Sequence, residues 1–512
     1  GGGRERRTPR SRAPATLFLT FALLAPGVAV AQPGPLPLNL SQAEPTTPGA
    51  PAAPTPGAAP TLGAPAAPTG PAQLPMPQQL GPIPLPASPD LPGLRPYVPA
   101  VPPPPSQFTL PGDVSLYLPL PSAARFELHP TFSILGQYTD NFRPEREGNQ
   151  ITNYRVAVTP GLALLLNDPK TSGSAVVFFG ASWDSSDDRI SPFGGGSIGF
   201  RHIVDPRLNF TLTDSFSVNN DPDEANAFGL AFERETFFSN TLIVAANWLI
   251  DIFQTQFYYR NSVFVQDGTT MTNALGGNVS VPVGPLMTLS GGAEVSVTTN
   301  SIDTGLDDTS FGIREFASLS RRFGEFLTGG VSVSHSYGQQ SNSNIFNASV
   351  FGAYSLPTGL SVSSRMGVSY LIADSTSGRA TFSTNTSASY RFARSVVGAG
   401  YFQDFVETGL EGQDFGIVIT HHLTGFFTYA FTPFLFGRLS GGYDFNEFTD
   451  VGTASGQPRI KSRTRGTASL NWQVTRWLGA ALRYDYIWRD FVSSPPRDSG
   501  ENRVTLSLGA TF

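Results

Sequence analysis

The sequence predicts an all-β fold, a transmembrane antiparallel up-and-down β-barrel of about 20 strands (range 16–20), behind a signal peptide and a disordered Pro/Ala-rich segment. Three observations predict it. From about Arg125 to Phe512 the chain alternates apolar and polar residues with a period of two, the repeat of a strand with one greasy and one wet face. The connections between these segments alternate between short turns and longer polar loops. Only 14% of the residues are charged, against 12% aromatic, well below the ~25% charged content of ordinary soluble domains. Yet after the first thirty residues no run approaches the ~18 apolar residues of a membrane helix. Such a chain hides its apolar side chains one at a time.

The elements follow in order. "RERRTPRSR" is a basic stretch, "ATLFLTFALLAPGVAVA" an apolar one, and Ala29-Val30-Ala31 a small-x-small cleavage site before Gln32. Residues 1–31 are therefore expected to be a signal peptide that exports the chain. No cysteine follows the cleavage site, which excludes a lipoprotein anchor there. Residues 32–122 turn to Pro, Ala, Gly and Thr, as in "PGAPAAPTPGAAPTLGAPAAPTGPAQ". Prolines remove backbone donors and favour an extended, solvated chain, so this stretch reads as a periplasmic tether without a packed core. It leaves open a spacer that touches peptidoglycan or a periplasmic partner. Removing residues 32–105 is expected to leave barrel folding and thermal stability nearly unchanged, because that stretch has too little apolar content to contribute to a core. The melting temperature of the truncated protein checks this, and a large drop would overturn it.

Residues 123–512 carry the barrel. "LSVSSRMGVSYLI" sets Leu360, Val362, Met366, Val368, Tyr370 and Ile372 against Ser361, Ser363, Arg365, Gly367 and Ser369. "FLFGRLSGGYDF" sets Leu435, Leu439, Tyr443 and Phe445 against Arg438, Ser440 and Asp444. Short turns such as "NDPK", "PVGP", "FGEF" and "TRW" alternate with loops such as "DNFRPEREGNQ", "ETGLEGQD" and "TDVGTASGQP". Short turns on one rim and long loops on the other are the topology of an outer-membrane barrel. Aromatics flank the short turns: Trp248 and Phe253, Phe323 and Phe326, Phe431 and Phe434, Trp472 and Trp477. Amphipathic rings at that level form a girdle at the membrane interface. An even strand number with short turns inside puts both barrel ends in the periplasm. At ~16 strands or more, wall side chains alone cannot fill the lumen.

The sequence ends on "RVTLSLGATF", where Val504, Leu506, Leu508, Ala510 and Phe512 share the apolar face. These residues resemble the C-terminal signal by which bacterial outer-membrane barrels are handed to the barrel-assembly machinery. A second resemblance lies in "FSILGQYTDNFRPEREGNQITNYRVAVTPGLALLL". Tyr138, Asp140 and Asn141, then Thr159, Pro160, Gly161 and Leu162, are similar to the opening hairpin of the β-barrel porin type 2 group, which includes barrels of exopolysaccharide operons. The resemblance implies a barrel in the outer membrane of a Gram-negative bacterium, bedded in outer-membrane lipid and lipopolysaccharide and linked to polysaccharide export. It assigns no functional residue.

Chemistry is sparse. The chain has no cysteine, which removes thiol catalysis and zinc-thiolate sites together. Its net charge is −6 and no basic block points to nucleic acid. Gly195-Gly196-Ser197-Ile198-Gly199 matches the nucleophile elbow G-x-S-x-G, but that elbow needs a strand turning into a helix. Here the motif sits inside a β-pattern, so the glycines are expected to mark a kink or close approach. His421 and His422 are neighbours, and adjacent strand residues point to opposite faces, so they cannot share a metal. Loop acids Asp187, Asp188, Asp221, Asp223, Glu224, Asp303, Asp307 and Asp308 lack the ordered spacing of a calcium loop. The sequence thus predicts no enzyme, metal or cofactor.

The polar face carries the functional signal. Arg438, Lys461, Arg463, Arg465, Arg483, Arg489 and Arg503 come from four consecutive strands and form a candidate basic stripe on one lumen wall. Charge lining a pore sets its ion preference. The stripe would favour anionic solutes or sugar acids. Alternatively, the arginines pair with Asp444, Asp485 and other lumen acids and rigidify the wall. Two functions remain open on these grounds: a pore or export-linked channel for anionic solutes or polysaccharide, and a plugged structural barrel that docks an envelope or surface-polymer partner.

Overall fold

The computed structural model describes residues 107–110, 114–117, 126–142, 150–219, 236–266, 268–302, 307–339, 342–373, 376–407, 417–449, 459–492 and 497–512. The expected signal peptide, most of the tether, and loop acids Asp221, Asp223, Glu224 and Asp303 lie outside the described residues.

Two short strands come first, β1 (Gln107–Leu110) and β2 (Val114–Tyr117). The wall then opens with β3 (Phe126–Thr139), β4 (Asn153–Asn167), β5 (Thr171–Asp184), β6 (Arg189–Asp205), β7 (Leu208–Asn219), β8 (Phe237–Ile250) and β9 (Phe253–Val265). It continues with β10 (Gly268–Pro282), β11 (Met287–Ile302), β12 (Asp307–Arg322), β13 (Leu327–Gly338), β14 (Ser343–Ser355), β15 (Leu360–Ala373) and β16 (Thr376–Arg391). The last are β17 (Ser395–Glu407), β18 (Ile417–Thr432), β19 (Leu435–Phe448), β20 (Arg459–Gln473), β21 (Leu478–Val492) and β22 (Arg497–Thr511).

The twenty strands β3–β22 form one closed barrel in which each pairs with its sequence neighbours. Every described pairing is antiparallel, and β22 closes on β3 with Arg503 opposite Thr139 and Thr511 opposite Thr131. The Phe512 N–H continues that ladder by donating to the Pro130 carbonyl at 2.9 Å. Closure leaves the barrel without an edge strand, the condition for a sheet to sit in hydrocarbon, where an unpaired backbone group costs several kcal/mol.

The period-two reading holds along the walls. Met366, Val368, Tyr370 and Ile372 of β15 are exposed to the outside, while Ser369 and Leu371 are buried inward. On β22 the outward Val504, Leu506, Leu508 and Phe512 are exposed, whereas Thr505, Ser507 and Thr511 are buried. Ala510 keeps the outward phase but is covered, being too small to reach past its neighbours. The girdle aromatics Trp248, Phe253, Phe323, Phe326, Phe431, Phe434, Trp472 and Trp477 are all exposed beside the short turns. Trp477 stacks on Phe512 with ring centroids 6.2 Å apart. Both described barrel ends lie on this rim. Tightness there depends on backbone freedom: Gly359, in the turn before β15, has φ +101°, and a Cβ would come within 2.6 Å of the Arg391 carbonyl.

Two features depart from a regular wall. Pairing of β16 with β17 stops at Thr384 opposite Gln403, although both strands continue. Beyond that point Arg379 of β16 forms an ion pair with Glu447 of β19, three strands farther on. The tip of the β15–β16 hairpin thus leans across β17–β18, and Ile345, Leu371, Ala373, Phe405, Ile417 and Ile419 pack together beneath it. The second feature is the β1–β2 hairpin, which pairs Gln107 with Tyr117 and Leu110 with Val114. It falls within the stretch read as a tether, and β2 lies against β20, β21 and β22.

Candidate functional site: a charged wall in the lumen

Inward phase brings most of the basic stripe together. Arg438, Arg463, Arg465, Arg483, Arg489 and Arg503 all occupy inward positions on β19–β22, interleaved with outward Leu439, Leu470, Leu482, Tyr484 and Val504. Lys461 departs from them. It is the extra residue of a bulge between Ile460 and Ser462, exposed, with Nζ 4.0 Å from the outward Asp490 carboxylate. One inserted residue shifts the phase of everything beyond it.

The arginines are organised by carboxylates. Asp444 sits opposite Arg463 and accepts its Nε–H at 2.9 Å, and His422 of β18 reaches the same carboxylate from the other side. Asp485 holds Arg483, with Nε 2.7 Å from Oδ2, and accepts a hydroxyl from Thr467 at 2.7 Å. Glu501 is shared: Arg489 donates at 3.2 Å, Arg503 at 2.9 Å, and the Thr139 hydroxyl at 3.2 Å. Arg438 lies over the Phe426 ring, 5.0 Å from its centroid, a contact in which the ring face attracts the cation. Arg465 stands between Gly442 and Ile487 in the ladder.

Charge balance on this wall is uneven. The six inward arginines named above face three inward carboxylates, Asp444, Asp485 and Glu501, an excess of three positive charges among these residues. Arg463 and Arg489 are directly opposite each other, an arrangement that like charges disfavour. Each turns to a different carboxylate, Asp444 or Glu501, which offsets the repulsion. Paired charges recur elsewhere on the wall. Arg155 and Asp184 form a two-point pair at 2.8 and 3.0 Å, and Glu294 binds Arg260 at 2.7 Å and the Tyr258 hydroxyl at 2.8 Å.

No family model matches the chain, and no curated protein matches it. Solved structures do. The ferric-catecholate import receptor Fiu from E. coli K12 aligns with a TM-score of 0.48 at 11% identity, over 77% of this chain and 82% of that one. The siderophore receptor PirA from Pseudomonas aeruginosa gives 0.46 at 10% identity, over 75% and 80%. OpdO from Pseudomonas aeruginosa gives 0.34 at 13% identity, over 75% and 98%.

The remaining motifs resolve on geometry. Gly195–Gly199 lies in mid-strand on β6 with no helix after it. Its glycines are sites of close approach: rings of Phe178 and Phe216 lie where Cβ atoms of Gly195 and Gly196 would be, at 3.0 and 2.9 Å. His421 faces outward to the Tyr401 hydroxyl at 2.9 Å, while His422 faces inward to Asp444. Asp188 accepts the indole N–H of Trp183 at 3.1 Å. Sequence reasoning missed Glu501, Thr139 and His422. Counting back in twos from Arg503 finds Glu501 on the inward face.

Proposed function

We propose that the chain is an outer-membrane barrel forming a pore or export-linked channel, without enzymatic activity, in a Gram-negative envelope. The observation that carries this reading is a closed barrel with two unlike faces. The outer face is an apolar band with an aromatic girdle beside the short turns, fitted to lipid and lipopolysaccharide. The inner face is polar, with a surplus of positive charge on β19–β22. Such a wall suits anionic solutes, sugar acids or an acidic polysaccharide. Export through a signal peptide, delivery to the barrel-assembly machinery and a periplasmic tether belong to the same proposal. Conductance of the purified protein in planar bilayers tests it, and a protein silent at every voltage overturns it.

Selectivity tests the wall. The triple variant Arg438→Gln, Arg465→Gln, Arg483→Gln removes three inward cations and leaves Asp485 in place. Its reversal potential in a salt gradient is expected to move toward cations, with insertion unchanged. If these side chains met lipid instead, they would cost ~2–4 kcal/mol each near the midplane, and neutralising them would strengthen insertion. An unmoved reversal potential would sink the anion reading.

A second reading has one observation in its favour: Arg463, Arg489 and Glu501 are wholly buried. A wall that dry also suits a plugged barrel that docks an envelope or surface-polymer partner without transport.

A further inference from the structure

The inner face of β20–β22 is drier than an open lumen permits. In a barrel of this girth, inward side chains should meet water. Yet Arg463, Arg489 and Glu501 have 0% exposure, and Ala481, Asp485, Ile487, Ser499 and Ser507 at most 2%. At the seam with β3, the hydroxyls of Thr131, Ser133 and Thr511 are buried without a hydrogen-bond partner among the described residues. The outward side chains of these strands, Leu482, Tyr484, Leu506 and Leu508, remain exposed. What covers the wall therefore lies inside. The described element beside it is the β1–β2 hairpin, with β2 against β20, β21 and β22.

We infer that the hairpin Gln107–Tyr117 is seated inside the barrel on this wall and narrows the lumen as an in-built plug. The narrowing rests on the pore reading; the seating does not. A two-stranded hairpin is marginal alone in water, so it needs a surface to pack on. Geometry allows it. Nine residue steps separate Tyr117 from Phe126, a reach of roughly 30 Å at ~3.3 Å per residue. β3 starts at the short-turn rim beside β22, so that reach returns the hairpin onto β22 and its neighbours. The charged wall is thus first a seat for the chain's own segment, and its arginine–carboxylate network fixes the shape of that seat.

The chain has no cysteine, so introduced thiols are unique. In the folded full-length protein in vesicles, Ser115→Cys is paired in turn with inward Ala481→Cys or Ser507→Cys and outward Leu482→Cys or Leu506→Cys. A short bis-maleimide is expected to join only the inward pairs; joining outward pairs, or none, overturns the seating. Next, the single variant Ser507→Cys is labelled with a water-soluble maleimide. Deleting residues 107–117 should speed labelling at least about ten-fold, the protection given by a docking equilibrium of about 1.4 kcal/mol. Ser115→Pro, which breaks the pairing of Ser115 with Thr109, should do the same without shortening the chain. Unchanged rates in both overturn the plug. Conductance separates the two readings. A rise on deletion supports narrowing, and a current that does not rise overturns it. Inward cross-links with no current from either protein overturn the pore, and the narrowing with it, and leave the seating standing.

Discussion

Replacing Leu506 and Leu508 together with arginine is expected to leave the protein unable to hold a folded barrel in lipid. Both side chains stand on the outward face of β22, 56% and 48% exposed, and β22 is the strand that closes the wall against β3. A charge on the lipid face costs about 2–4 kcal/mol at the midplane and less toward the interfaces. Two such charges total roughly 4–8 kcal/mol against a native margin of ~5–15 kcal/mol. The strand cannot escape by leaving the wall, since an open edge strands a row of backbone donors and acceptors in hydrocarbon. Heat-modifiable migration on gels after refolding into vesicles reads the result. The control is Ser262→Arg, at an inward, half-buried position of β9, where the effect should stay within about 0.5 kcal/mol. Normal migration of the double variant, or equal loss in the control, would show the phase to be wrong.

The faces were legible because a strand repeats every two residues and a barrel buries none of its outer side chains behind another layer. Alternation alone therefore separated Leu439, Tyr443 and Leu482 from Arg438, Asp444 and Arg483. The strand number was legible from the rhythm of turns and loops. Phase errors arose where the backbone inserts a residue. At Lys461 the bulge sits next to a loop, and nothing in "RIKSRTRG" announces it. The lean of the β15–β16 tip was equally hidden, since it depends on a long-range pair, Arg379 with Glu447.

The site was legible in its cations and hidden in its anions. Asp444 and Asp485 stood inside clear strands, so their phase could be read. Glu501 stood in "SSPPRDSGE", which reads as loop, yet β22 begins at Arg497 and carries it into the wall. The β1–β2 hairpin was hidden for another reason. Its surroundings are proline-rich, and "QFTL" and "VSLY" are too short to register as strands without the surface they pack on.

Glu501 is accordingly the position where a small chemical change should cost most. Glu501→Gln keeps the shape of the side chain and removes the charge shared by Arg489 and Arg503. Arg489 is wholly buried and Arg503 nearly so, so neither guanidinium can turn to water for compensation. Removing one partner of a buried ion pair typically costs about 3–5 kcal/mol, because the remaining charge keeps its desolvation penalty. The exposed pair of Arg379 with Glu447 offers the contrast: Arg379→Gln should cost no more than about 1 kcal/mol. Urea unfolding of the barrel in vesicles measures both. The double variant Glu501→Gln, Arg489→Met should recover part of the loss, since one of the two stranded charges is then replaced by an apolar chain of similar length. If Glu501→Gln costs no more than Arg379→Gln, the carboxylate is not what holds the arginines in place, and the wall is held by the packing of its strands alone. If the loss is large and Arg489→Met restores none of it, Arg503 is the cation that depends on Glu501, and the network divides between β21 and β22.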